Sequence, residues 1–163
     1  MTQQVFTLTS PDIKEGHFMA KAHEFDGWGC SGNNSSPELN WQHAPAGTKS
    51  FAVTVFDPDA PTGSGFWHWL VSDIPAAAIG LARGAGKGSL PTGSRSFSND
   101  YGSKDFGGAC PPEGHGMHRY QFTVWALPED TLPAADGASA AVVGFMLNAM
   151  ALGKATLTAT YAR

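Results

Sequence analysis

Short bursts of alternating apolar and polar residues run the length of this chain, broken again and again by glycine and proline. Residues 5–9 (VFTLT) keep the period of two that a half-buried strand shows, and ELNW at 38–41 reads as another short strand. KSFAVTVFD (49–57) predicts a strong strand, stopped by DPDAPTGSG, and WHWLVSDI (67–74) a second, closed by Pro75. MHRYQFTVWAL (117–127) and KATLTATYA (154–162) complete the set. One segment reads as a helix, ASAAVVGFMLNAMAL (138–152), with Asp136 or Ser139 to cap its start and Gly153 just past its end. Residues 27–37 form a loop by composition, and 76–110 are a long irregular excursion of a length often tied to function. Many strands with one late helix predict a mainly β fold, a sandwich of two antiparallel sheets with one or two peripheral helices. No repeat or linker divides residues 1–163, so one domain is expected.

Composition narrows the partners. The net charge is −4 and no basic cluster occurs, which excludes broad nucleic-acid binding. No apolar run is long enough to span a bilayer, and MTQQVFTLTS lacks the basic and apolar regions of a signal peptide. Two cysteines, Cys30 and Cys110, are too few for a disulfide scaffold, so a cytoplasmic protein with a free, partly exposed Cys110 thiol is expected. Both lie in glycine-rich loops, which leaves a bridge between them open.

The alternation also places chemistry. Asp57 falls on the face of Phe51, Val53 and Val55, and His118 and Tyr120 on the face of Phe122 and Val124. By the same count His68 lies with Leu70, Ser72 and Ile74. Each polar residue ends an apolar row beside a Gly/Pro-rich loop, the pattern of a concave site with a few convergent polar groups. Three chemistries fit. An anion pocket would use imidazole N–H groups, the Tyr120 hydroxyl and backbone amides around Gly107 and Gly108, with Pro111-Pro112 holding the loop still. A metal site would use Asp57, His68 and His118; the HxxH of His115 and His118 does not serve, because strand alternation sets its rings apart. A thiol hydrolase would pair Cys110 with His118, without a nucleophile signature around the cysteine.

DPDAPTGSGFWHWLV (57–71) and GGACPPEGHGMHRYQFTVWAL (107–127) resemble the two signature regions of the phosphatidylethanolamine-binding protein family, also called Raf kinase inhibitor-like proteins. SPELNW (36–41) and the GFMLNAMAL segment resemble its bacterial branch. The resemblance implies a non-enzymatic β-sandwich protein with a small pocket for phosphate, phospholipid headgroups or phosphorylated side chains. Such a protein needs no metal or cofactor and forms a homodimer, with a kinase or another protein as the regulated partner. A weak or metal-dependent hydrolase using the same Asp/His cluster is the alternative. Asp57, Ala60, Pro61, Phe66, His68, Gly108, Cys110, Pro111, His118 and Tyr120 are the implied ligand-binding residues. Cys110 stands where other branches carry glycine, and a cis Ala60–Pro61 bond is expected in the pocket wall. The chain stops soon after 154–162, before the C-terminal helix of animal relatives, and the apolar surface so uncovered favours association.

Overall fold

A computed structural model describes residues 4–163; Met1, Thr2 and Gln3, at the head of the stretch read above for a signal peptide, lie outside it. Eight strands and one helix follow in order: β1 (Thr7–Thr9), β2 (Leu39–Gln42), β3 (Ser50–Asp57), β4 (Phe66–Pro75), β5 (Gly80–Leu81), β6 (Arg95–Ser96), β7 (His118–Leu127), α1 (Ala140–Met150) and β8 (Gly153–Tyr161). They form two antiparallel sheets, one ordered β1-β2-β5 and the other β6-β4-β3-β7-β8. The long excursion thus contributes two strands too short to show a period: β5 extends the small sheet and β6 edges the large one.

Apolar burial follows the alternation. The inward rows of β3 and β7 (Phe51, Val53 and Val55 with Tyr120, Phe122 and Val124) meet Leu8, Leu39, Trp41 and Leu81 from the small sheet. A second cluster lies on the other face of the large sheet, where Ala52, Leu70, Trp125 and Leu127 are covered by Val143 and Leu147 of α1. Ser139 caps the helix, its hydroxyl accepting from the Val142 N–H at 3.2 Å. Gly153 does not end it, as the sequence reading has it. Ala151 leaves the helix in extended conformation, and the Leu152 N–H donates to the Ala126 carbonyl, so the chain passes directly into β8.

Strand β4 departs from simple alternation in a way that decides where the site lies. Phe56 pairs with Trp67 and Val55 with Trp69, which leaves His68 an unpaired extra residue, a β-bulge. A second irregularity lies between the Phe51–Ile74 and Val53–Val71 pairs, beside Asp73 with φ of 59°. The bulges break the row expected for His68: Leu70 faces the helix, whereas Trp69, Val71 and Ile74 join the core between the sheets.

The expected free thiol is also corrected. Cys30 and Cys110 form a disulfide, because Glu24 and Ala109 pair as an isolated parallel bridge, with the Phe25 N–H donating to Ala109 O, and bring the two loops together. The bridge closes a loop of 80 residues in sequence. Its loss through Cys30→Ser is expected to lower unfolding free energy by about 2–4 kcal/mol, measured by denaturant titration against reduced and oxidised wild type. A variant as stable as the oxidised protein would show the bridge to be dispensable.

Candidate functional site

At one end of the large sheet, β3, β4 and β7 finish side by side, and their last inward residues are polar. Between them lies a cavity of about 220 Å³, walled by the 57–66 turn, the 107–112 loop, Trp28 and Tyr101. Asp57, Ala60, Pro61, Phe66, His68, Cys110, Pro111, His118 and Tyr120 all line it. Gly108 does not. It stands behind the wall, where an added Cβ would run into the backbone of His23 and Glu24.

The floor is a buried acid–histidine pair. His118 Nδ1 lies 2.6 Å from Asp57 Oδ2, with both side chains at most 3% exposed. The other carboxylate oxygen, Oδ1, accepts from the Asp59 N–H at 2.7 Å and closes the turn. Asp59 in turn takes two hydrogen bonds from the Arg119 guanidinium and one from its backbone N–H, each at 2.9 Å. Those bonds hold the Asp59 carboxyl down to about 2. With the turn fixed from two sides and the Thr62 N–H bonded to the Ala60 carbonyl at 2.8 Å, the Ala60–Pro61 bond is trans; no described residue has a cis bond.

His68 is fixed differently. Its Nδ1 meets the Gly107 carbonyl at 2.9 Å, so that nitrogen carries the proton and Nε2 is left without a protein partner among the described residues. Burial pushes its pKa down, outweighing the hydrogen bonds and the nearby Asp57 that favour the charge. The Tyr120 hydroxyl, on a residue 2% exposed, likewise has no protein partner. Burial, and then Asp57, raise its pKa.

Three features differ from the sequence reading. His115 Nδ1 sits 2.6 Å from His118 Nε2, so the rings of HxxH do meet. They meet because Gly114 and Gly116, both at positive φ, fold the loop back over the strand end, where strand alternation no longer applies. The amides of Gly107 and Gly108 are not free for an anion, since they donate to His68 O and to Asn34 Oδ1. Cys110 is in a disulfide and cannot act as a thiol nucleophile. Asp57 and His118 face each other, and among the described residues no three His, Cys, Asp or Glu side chains are grouped to hold a metal.

Trp28, Thr62, Tyr101 and His115 were missed, as were two buried asparagines that brace the wall. Asn34 receives the Gly108 N–H and donates to Phe106 O, and Asn99 donates to the carbonyls of His68 and Asp105. Tyr101 donates to Gly108 O at 2.8 Å. All but His115 come from loops that composition marked in advance as loops, 27–37, 57–65 and 76–110, without marking which of their side chains reach the cavity.

Comparison with known proteins agrees with this architecture. Residues 9–162 match the family model described as phosphatidylethanolamine-binding protein. The UPF0098 protein YbcL of Escherichia coli is 51% identical over 159 residues, covering 96% of this chain and 87% of that protein. The crystal structure of E. coli YbcL, described as a new member of the mammalian PEBP family, superposes with a TM-score of 0.94 at 50% identity, over 97% of this chain and 98% of that one. A Mycobacterium tuberculosis protein named putative lipoprotein LppC is 36% identical over 135 residues, 81% of this chain and 62% of that one. The chain belongs to the phosphatidylethanolamine-binding protein family.

The lowered His68 pKa sets a pH dependence. A histidine that is neutral when folded and titrates near ~6.5 when unfolded takes up its proton in the unfolded state first, so its contribution to stability is present above that value and lost as pH falls below it. NMR titration of the ligand-free protein should find the His68 ring taking up its proton at a lower pH than an exposed histidine does. A ring half protonated at or above ~6.5 would contradict the burial argument.

Proposed function

We propose that this chain is a non-enzymatic binding protein whose cavity takes the phosphate group of a small ligand. One observation carries the reading. Two polar atoms, His68 Nε2 and the Tyr120 hydroxyl, have no protein partner among the described residues and face a cavity of about 220 Å³ in which a ligand can meet them. The Tyr120 hydroxyl is a ready donor. His68 Nε2 becomes one on protonation, and so does His118 Nε2 once it is both protonated and released from His115, which is exposed and flanked by two glycines. Backbone amides of Gly107 and Gly108 have no part in this reading, because they are already bonded.

Affinity for phosphate then rises as pH falls. Because the free His68 titrates below its ordinary value, and a bound anion raises it, the gain is spread between the two pKa values and starts low. Calorimetric titration with inorganic phosphate at two pH values tests this. His118→Ala is expected to weaken binding by about one to two orders of magnitude, since a charge-assisted hydrogen bond contributes roughly 1.5–3 kcal/mol. Wild-type affinity in both His68→Ala and His118→Ala would move the anion elsewhere.

The pocket admits a phosphorylated side chain as well as a headgroup, which keeps a kinase or another regulated protein in view as a partner. The hydrolase alternative lacks a nucleophile, and nothing about the cavity favours it. The Cys30–Cys110 bridge favours an oxidising compartment over the reducing cytoplasm expected from the sequence, and the lipoprotein name of one relative agrees with that shift. No helix among the described residues is long and apolar enough to cross a membrane. Homodimerisation is part of the proposal, with Met117 beside the pocket loop 56% exposed and Phe145 on α1 74% exposed. Analytical ultracentrifugation at micromolar concentration is expected to show about twice the 17.1 kDa chain mass, and a single 17.1 kDa species would refute it.

A further inference from the structure

Helix α1 covers only part of the outer face of the large sheet. It lies over Ala52, Leu70, Trp125 and Leu127, and beside it the face is bare, with a recess of about 350 Å³. Recess and cavity lie back to back. Phe56, Trp67 and Gln121 border the recess, while their chain neighbours Asp57, His68 and Tyr120 border the cavity. The floor of the recess follows from strand register. Thr54 of β3 pairs with Thr123 of β7, and Thr123 with Thr156 of β8, so three hydroxyls cross the sheet in one row. These are short side chains among long ones, which makes the hollow. The row on one side holds Phe56 and Gln121, and the row on the other Trp125 and Lys154. Trp67 of β4 packs on Phe56 with ring centroids 4.4 Å apart, and leans on Gly144 of α1, where an added Cβ would stand 3.1 Å from the indole.

The hydrogen-bonding groups of this recess are incompletely used. Thr123 and Thr156 share one bond at 3.0 Å. Thr54, 2% exposed, accepts from the Trp125 Nε1–H at 3.0 Å, and its own proton has no acceptor among the described residues. Asn148 donates to Gly144 O and keeps Oδ1 open, and the Gln121 amide has no partner among the described residues. The recess carries one charge. The Lys154 ammonium stands over the Trp125 ring at 5.0 Å, and no Asp or Glu lines the recess to neutralise it.

Neutral donors and acceptors beside apolar ring surface select among ligands. A polyphosphate would need more than one cation, and an alkyl chain would strand the hydroxyls and amides. A saccharide meets both demands. Its hydroxyls donate and accept, so they pair with threonine and amide groups alike, and its ring C–H groups pack against aromatic carbon. The lone ammonium adds a preference for an acid on the sugar. We propose that this outer face binds a saccharide bearing an acidic group, with its hydroxyls over the threonine row and its acid against Lys154. The proposal is independent of the phosphate reading, because the two hollows share no lining residue.

A glycan array of neutral, uronic-acid and sulfated glycans, probed with the full chain, is expected to retain acidic glycans over their neutral counterparts. Uronic-acid glycans would assign a carboxylate and sulfated ones a sulfate. Titrated by calorimetry, the best-retained glycan is expected to bind about tenfold more weakly to Lys154→Gln, with the neutral counterpart unaffected, and several-fold more weakly to Gln121→Ala. The Lys154 side chain is exposed and Gln121 lies outside the core clusters, so both variants keep the fold, which thermal unfolding checks. In NMR spectra the Trp125 indole N–H and the Gln121 amide should shift on glycan addition, and the His68 ring should not. Retention of no glycan, equal affinity for acidic and neutral forms, unchanged affinity in Lys154→Gln, or shifts confined to the cavity would overturn the proposal. Shifts at this face that arise from raising protein concentration alone would assign it to a second copy of the chain, and would overturn it too.

Discussion

A carboxylate at the end of a buried strand has to be given hydrogen-bond donors, and Asp57 is given two. The His118 ring reaches it from the neighbouring strand β7, and the Asp59 N–H returns to it from its own turn. Removing either donor would strand a charge out of water, a loss worth several kcal/mol in comparable buried pairs. The pair therefore fixes both the position of the 57–66 turn against β7 and the orientation of His118. Arg119, next along β7, points outward and fastens the same turn from the solvent side through Asp59.

The second histidine depends on a different device. A regular β4 would have put His68 in a row with Leu70, under the helix. The bulge beside Val55 and Phe56 re-aims it, and the exchange of hydrogen bonds with Gly107 (His68 Nδ1 to Gly107 O, Gly107 N–H to His68 O) holds it there. Gly107 has to be glycine, because a Cβ would strike the Tyr101 ring. Strand, loop and aromatic wall are thus a single fitted assembly, and the asparagine braces hold the loop from behind.

This explains which parts of the molecule could be read in advance. Strands β3, β7 and β8 show alternation that survives into the structure, so the sandwich, the inward face of Tyr120 and the burial of Asp57 and His118 were legible. The cavity's membership was legible largely through the resemblance of two motifs, whose residues now stand around one space. What could not be read depends on irregularity or on distance along the chain. The bulge at His68 leaves no mark in composition. The contact of His115 with His118 depends on two left-handed glycines, and Tyr101 and Asn99 lie in a stretch without period. The disulfide follows from a bridge between Glu24 and Ala109, far apart in sequence, which no spacing rule announces.

That disulfide also bears on how the protein is made. The chain has two cysteines and hence one possible internal pairing, so oxidation cannot scramble it and no reshuffling step has to precede the native state. The hazard is of another kind. Until residue 110 has been synthesised and the wall has formed, Cys30 is a lone thiol whose available partners are other molecules.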